Sequence, residues 1–283
     1  MSNRNTQANK QAARDRLRAE RERQAKKDRT RRQLIVAGSV VAVLAVAGGI
    51  GLAVANSGGG TSSTGGSGAD VWAKAAKAKP VPPANTSGPN GTTVVIGKSD
   101  AKNSLELFED PRCPGCAAFE ETVGATVEKD ISDGKYKATY HIGTFLDGNL
   151  QGTGSKNALS ALGAALNVSP DAFLKYKYAL YSKEFHPDET GPDKFADDSY
   201  LIKVADTIPA LKGNAAFQKS VKDGTYDAWA MAMSKDFDSH KDVRSTPTVK
   251  MNGTVLGTQT AQGPVAPSTV ADFNAQVDKN LKK

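Results

Sequence analysis

The sequence predicts an α/β domain with a large helical insertion, preceded by a transmembrane helix and a linker. Three observations predict it. A charge-free apolar run, "LIVAGSVVAVLAVAGGIGLAVA", follows a basic tail. Between residues 92 and 283, strand-like runs stand near both ends and helical patterns fill the middle. The chain's only two cysteines, Cys113 and Cys116, lie where a strand pattern gives way to a helix pattern, in "EDPRCPGCAAFE".

The tail comes first. Residues 1–33 hold twelve Lys/Arg against four Asp/Glu, while residues 34–283 hold 25 against 26. The net charge of +7 therefore belongs to the tail, and the remainder carries no basic patch of the kind that binds nucleic acid. Leu34 to Ala55 follows, with Ser39 its only polar side chain. A helix of that length rises about 33 Å, enough for a hydrocarbon core of roughly 30 Å. Lys26, Lys27, Arg29, Arg31 and Arg32 precede it and an uncharged Asn-Ser-Gly run follows. Basic flanks stay inside, so the expectation is a single-pass cell-membrane protein with residues 1–33 cytoplasmic and everything after Ala55 extracytoplasmic. The rival reading is a signal peptide cut after the small-x-small Ala53-Val54-Ala55, which exports the same residues.

"NSGGGTSSTGGSG" (56–68) reads as a flexible linker, expected to extend over 56–91. "VWAKAAKAK" suggests a short amphipathic helix from Val71 to Lys79, ended by Pro80-Val81-Pro82-Pro83. Folded structure is expected from Thr92 to the C-terminus, about one domain's worth of chain. "TTVVIG" and "SLELFED" read as strands, the second with Leu105 and Leu107 on one face and Glu106 and Phe108 on the other. After the cysteines, "AAFEETVGATVEKDIS" reads as a helix and "KYKATYHIGTF" as a strand that ends in a loop at Leu146-Asp147-Gly148. The helical block follows. "SKNALSALGAALN" precedes Ser169 as N-cap with Pro170 at the first helical position, and three further helices reach about residue 240. Trp229, Met231 and Met233 are assigned to packing within this block. "TPTVKMNGTVLG" reads as a hairpin turning at Asn252-Gly253, and a last helix starts at Ser268 with Asp272 near its first turn.

This order, with its junction residues, resembles the DsbA-like branch of the thioredoxin superfamily from Thr92 onward. The likeness rests on Cys113-Pro114-Gly115-Cys116 at a strand–helix junction, Leu107-Phe108-Glu109-Asp110 before it, "FLDG" after the central strand, the helical insertion, and Thr246-Pro247 opening the hairpin. It implies a thioredoxin fold and a thiol–disulfide oxidoreductase. It also implies that Pro247 is a cis-proline whose loop faces the cysteines, with Thr246 and the Pro114-Gly115 pair tuning the redox poise.

The chemistry of the residues points the same way. Cys113 at a helix N-terminus meets unpaired backbone N–H groups and a positive dipole, both of which stabilise a thiolate. Thiols of CxxC motifs fall to about 3.5–7, against about 8.5 for a free cysteine. Such a thiolate is a good leaving group, which makes the disulfide oxidising. The adjacent Arg112 is expected to add to the effect, and Cys116 to act as the resolving thiol. Glu109 and Asp110 are candidates for a proton relay to the buried thiol. The resemblance's buried acid, six residues before the first cysteine, falls here on Leu107, so two solvated acids at a strand end remain the alternative.

A zinc site at the pair lacks the second ligand pair it needs, and three scattered histidines do not supply one. His141 is read as a half-buried structural residue, and His186 and His240 as surface or capping residues. No cofactor and no metal is expected. The partners implied are exported proteins with free thiols and a membrane redox protein that regenerates the disulfide. Two other functions stay open: a thioredoxin-like reductase or isomerase, and a redox-silent module that binds peptides beside Pro247.

Overall fold

A computed structural model describes residues 68–260 and 263–282. The basic tail, the expected membrane helix at Leu34 to Ala55 and the first part of the linker lie outside the described residues. Among the described residues no helix is long and apolar enough to cross a membrane.

A five-stranded sheet holds β1 (Val94–Ile96), β2 (Ser104–Glu109), β3 (Lys137–Ile142), β4 (Thr248–Met251) and β5 (Thr254–Leu256), in the order β1-β3-β2-β4-β5. β2 and β3 run parallel, and the other neighbours pair antiparallel. A parallel pair needs a crossover, supplied here by a helical run made of α2 (Pro114–Phe119), a π-helical segment (Glu120–Gly124) and α3 (Ala125–Asp133). Leu105 and Leu107 are buried on one face of β2, and Phe108 is buried on the other, because the sheet is covered on both sides. The β4–β5 turn has Asn252 at φ 50° and Gly253 at φ 83°, the two positive values a type I′ hairpin requires.

After β3 the expected loop at Leu146 is a single helical turn, α4 (Leu146–Asn149). The insertion then runs through α5 (Gly154–Val168), α6 (Pro170–Tyr181), α7 (Asp198–Ala205), α8 (Ala215–Lys222) and α9 (Asp227–Phe237). α5 is buried continuously from Ala158 to Leu166, as expected of a helix that is apolar and small on every side. Ser169 caps α6 as its sequence predicts: its hydroxyl accepts from the Ala172 N–H at 3.0 Å. Trp229 and Met233 lie fully inside. The last helix, α10 (Val270–Lys279), is capped by Thr269 and starts two residues later than the expected Ser268. Between β5 and α10, β6 (Thr258–Thr260) and β7 (Gly263–Val265) form a small antiparallel ribbon that alternation did not reveal.

The second half of the predicted linker is part of the folded body. Residues 68–75 form a helix, α1 (Gly68–Ala75), three residues earlier than expected, and its Trp72 and Ala75 are buried in the core. The chain up to β1 is tied to the insertion. The Trp229 indole donates to Gly91 O at 2.8 Å, and Asn85 donates to Leu166 O at 2.9 Å. Ala, Pro, Gly and Lys dominate the composition here. A tryptophan nonetheless gains enough from burial, at about 25 cal/mol per Å² of apolar surface, to hold such a segment down.

Candidate active site

Cys113 is the N-cap of α2 and Pro114 its first residue, so the strand-to-helix switch falls on the first cysteine. The pair is in the dithiol form. Cys113 is 7% exposed and Cys116 is wholly buried, which makes Cys113 the sulfur a partner reaches. The Cys116 N–H donates to Cys113 Sγ at 3.4 Å, and the Cys113 thiol lies 3.5 Å from Thr246 O. The Thr246–Pro247 peptide is cis, as the resemblance implied. A Cβ at Gly115 would stand 3.1 Å from Pro247 Cδ, so this loop lies directly over the motif and would have to give by a few tenths of an ångström to admit a side chain there.

The two thiols are electrostatically unlike. A hydrogen bond from the Cys116 thiol, with others from the Thr246 side chain and the Cys116 N–H, lowers Cys113 below the ordinary thiol value in spite of its burial. Burial raises Cys116 well above that value, helped by its bond to Cys113 and by the nearby charges of Cys113 and Glu109. Apolar walls come from Ala117, Leu146 and Tyr181.

The two acids before the motif have separate surroundings, and neither is solvated. Asp110 is fully bonded: Oδ1 accepts from the Ser155 hydroxyl at 2.6 Å and the Arg112 N–H at 3.0 Å, and Oδ2 accepts from the Leu146 N–H at 3.0 Å. It ties the cysteine loop to α4 and α5, and burial lifts its pKa to about 6. Glu109 points to the other side, toward α6. Lys177 Nζ lies 3.1 Å from both of its oxygens but donates only to Oε1, leaving Oε2 without a hydrogen bond. The same ammonium bonds Glu120 Oε2 at 2.6 Å. Burial lifts Glu109 to about 7 against the pull of Lys177, with Glu120 adding to the rise. Lys177 itself loses by burial but is held above its ordinary value by the two glutamates.

Sequence reading missed Lys177, Glu120 and Tyr181. The one local signal for Glu120 is Gly124. A Cβ there would stand 2.8 Å from Glu120 Cδ, so the glycine makes space for the carboxylate to fold back inside the π-helical segment. Such segments recur at functional sites.

Arg112 does not act on the thiol as expected. It is buried and paired with Asp147 at 3.2 Å and Asp193 at 3.4 Å, so its charge is spent on the insertion. Asp147, in the "FLDG" stretch, also accepts from the Ser155 and Lys156 N–H groups at the start of α5. His141 is on the sheet face opposite Glu109, stacked on Phe108. His186 is half-buried beside Tyr181 and Phe195 rather than on the surface.

A buried dithiol at a helix N-terminus, under a cis-proline loop and on this sheet order, defines a thioredoxin-fold dithiol protein. A family model described as thioredoxin matches residues 89–279, more than half of the chain. The chain belongs to that family, and its neighbours put it on the DsbA-like branch. The reduced disulfide bond oxidoreductase DsbG from Mycobacterium tuberculosis is 26% identical, with a TM-score of 0.55, over 69% of this chain and 90% of that one. Oxidised DsbA from the same organism is 25% identical, with a TM-score of 0.54, over 68% and 93%. Disulfide bond formation protein D of Bacillus subtilis is 26% identical over 165 residues, 57% of this chain and 68% of that protein. The serine/threonine-protein kinase PknE of M. tuberculosis is 28% identical over 122 residues, a match to 41% of this chain that spans only 21% of the kinase.

Proposed function

We propose that this protein is an extracytoplasmic thiol–disulfide oxidoreductase that forms disulfides in exported proteins, held at the membrane by Leu34 to Ala55. The observation that carries the reading is the asymmetry of the pair. Cys113 is the accessible sulfur with the lowered pKa, and Cys116 is buried with a raised one. A low-pKa thiolate stabilises the reduced state and makes the disulfide a strong oxidant. Export is supported by the basic flank before the apolar run.

In the oxidised enzyme a substrate thiolate attacks Cys113 Sγ. The Cys113–Cys116 bond breaks, Cys116 leaves as a thiolate, and a mixed disulfide forms. A buried thiolate is costly, and Glu109, about half protonated at pH 7, delivers a proton to Cys116 from the unbonded Oε2 when it holds one. A second substrate thiolate then attacks the substrate sulfur of the mixed disulfide and expels Cys113 as its stabilised thiolate. Two electrons pass from the substrate dithiol to the enzyme pair, and a membrane redox partner removes them. Of the two acids considered, the relay role falls to Glu109. Asp110 has its oxygens occupied and serves as a brace.

Two measurements test this. In membranes, Cys116→Ser, which keeps Cys113, is expected to accumulate mixed disulfides with exported proteins, and Cys113→Ser is not. The full-length protein equilibrated in glutathione buffers is expected to show a potential of about −120 to −200 mV. A value near about −270 mV would reassign it as a reductase, and one below about −300 mV would make the bond structural.

A further inference from the structure

On the face of the sheet away from the cysteines, β3, the end of α9 and the connection to β4 bring together two of the chain's three histidines and an aspartate. His141 Nδ1 and His240 Nε2 each lie 3.9 Å from Asp236 Oδ2. The three ligand atoms all lie within 4.8 Å of one another. His141 is fixed in place, its ring stacked on Phe108 at 4.4 Å and 7°. Both of its ring nitrogens are buried without a hydrogen-bond partner, a costly arrangement for a group with one donor and one acceptor. The His240 ring packs edge-on against both His141 and Phe108.

We propose that His141, Asp236 and His240 form a binding site for a borderline divalent transition-metal ion, zinc foremost. Two imidazoles and a carboxylate suit such an ion, with water in the remaining position. A tetrahedral ion with bonds of about 2.0–2.1 Å holds its ligand atoms roughly 3.3 Å apart, so the site must contract slightly on loading. Asp236 and His240, whose side chains are 39% and 31% exposed, have the freedom to close on the fixed His141. A nearby cation, Lys250 over the Phe108 ring, is paired with Asp242 at 2.6 Å. A bound ion would join β3 to the connection that leads into Thr246 and Pro247, on the side of the sheet remote from the thiols.

The test uses the untagged full-length protein in detergent, with Cys113 and Cys116 oxidised so that the thiols cannot take the metal. Equilibrium dialysis against zinc chloride followed by elemental analysis is expected to find one zinc per chain. Zinc should also raise the thermal midpoint. Asp236→Asn and His240→Ala, both at partly exposed positions, are expected to weaken binding about tenfold or more and to abolish the thermal shift. His186→Ala should bind as the parent does. Absence of stoichiometric zinc, unchanged binding in the Asp236 and His240 variants, or equal loss in the His186 variant would each overturn the proposal. None of these outcomes bears on the thiol chemistry.

Discussion

Lys177 and Glu109, 68 residues apart in sequence, meet at 3.1 Å in the core behind the cysteine pair. The ammonium comes from the helical insertion and the carboxylate from the central strand. The insertion therefore supplies part of the active-site electrostatics as well as covering the sheet. Glu120, from the π-helical segment of the crossover, completes the group at 2.6 Å.

Removing the cation should be costly. Lys177→Met leaves two buried carboxylates without their partner, and breaking a buried pair in this way costs about 3–5 kcal/mol. Denaturant unfolding should show the loss, and the double variant Lys177→Met/Glu109→Gln should recover part of it. A single variant as stable as the parent would mean that the cluster is not a coupled unit.

The pH dependence follows from the same group. Glu109 has a folded pKa of about 7 against an ordinary 4.5, so the folded state keeps a proton that the unfolded chain releases. Its stabilising contribution is complete below pH 4.5 and is lost as pH rises through about 7, at no more than about 1.4 kcal/mol per unit. Asp110 behaves alike between 3.8 and about 6. His141, lowered from 6.5 to about 4, works in the opposite sense: its stability is complete above 6.5 and is lost as pH falls toward 4. Between pH 6.5 and 7.5 Glu109 is still titrating, and the changes from Asp110 and His141 are common to the parent and Glu109→Gln. Over that interval the reduced parent should lose stability relative to Glu109→Gln. The change from Cys113 is common to both proteins, and parallel profiles would refute the assignment.

Thr246 is expected to set the Cys113 thiolate as well as face a substrate. Its side-chain hydrogen bond is one of those that lower the Cys113 pKa. Thr246→Val should raise that pKa and make the potential more reducing, read by ultraviolet thiolate absorbance and by glutathione equilibration. An unmoved titration would leave the effect to Cys116 alone.

Gly124 tests the π-helical segment. The methyl of Gly124→Ala would press on Glu120 Cδ at 2.8 Å and push the carboxylate away from Lys177, at an expected cost of about 1–3 kcal/mol. Gly148→Ala has open space around its Cβ and serves as the control. Equal stability of the two variants would show that Glu120 has another way to reach the lysine.

What the sequence by itself determined are the features written within a few neighbouring residues. Cys113-Pro114-Gly115-Cys116 at a strand end predicts an N-cap cysteine because a helix start has unpaired N–H groups to offer. Ser169-Pro170 predicts a helix start, and Asn252-Gly253 a type I′ turn, through backbone angles that few other residues accept. The cis Thr246-Pro247 peptide was legible only through the family resemblance. Tertiary structure decided which side chains meet. The sequence shows Lys177 as one lysine of a helix, Arg112 as a neighbour of Cys113, and Trp72 as part of a linker. Packing puts the first beside Glu109, turns the second onto Asp147 and Asp193, and buries the third in the core. His141 and His240, scattered along the chain, come together by the same means. Such contacts join residues dozens of positions apart. They are fixed by the need to fill the core and neutralise buried charge, a condition on the whole fold that leaves no periodic trace in any one segment.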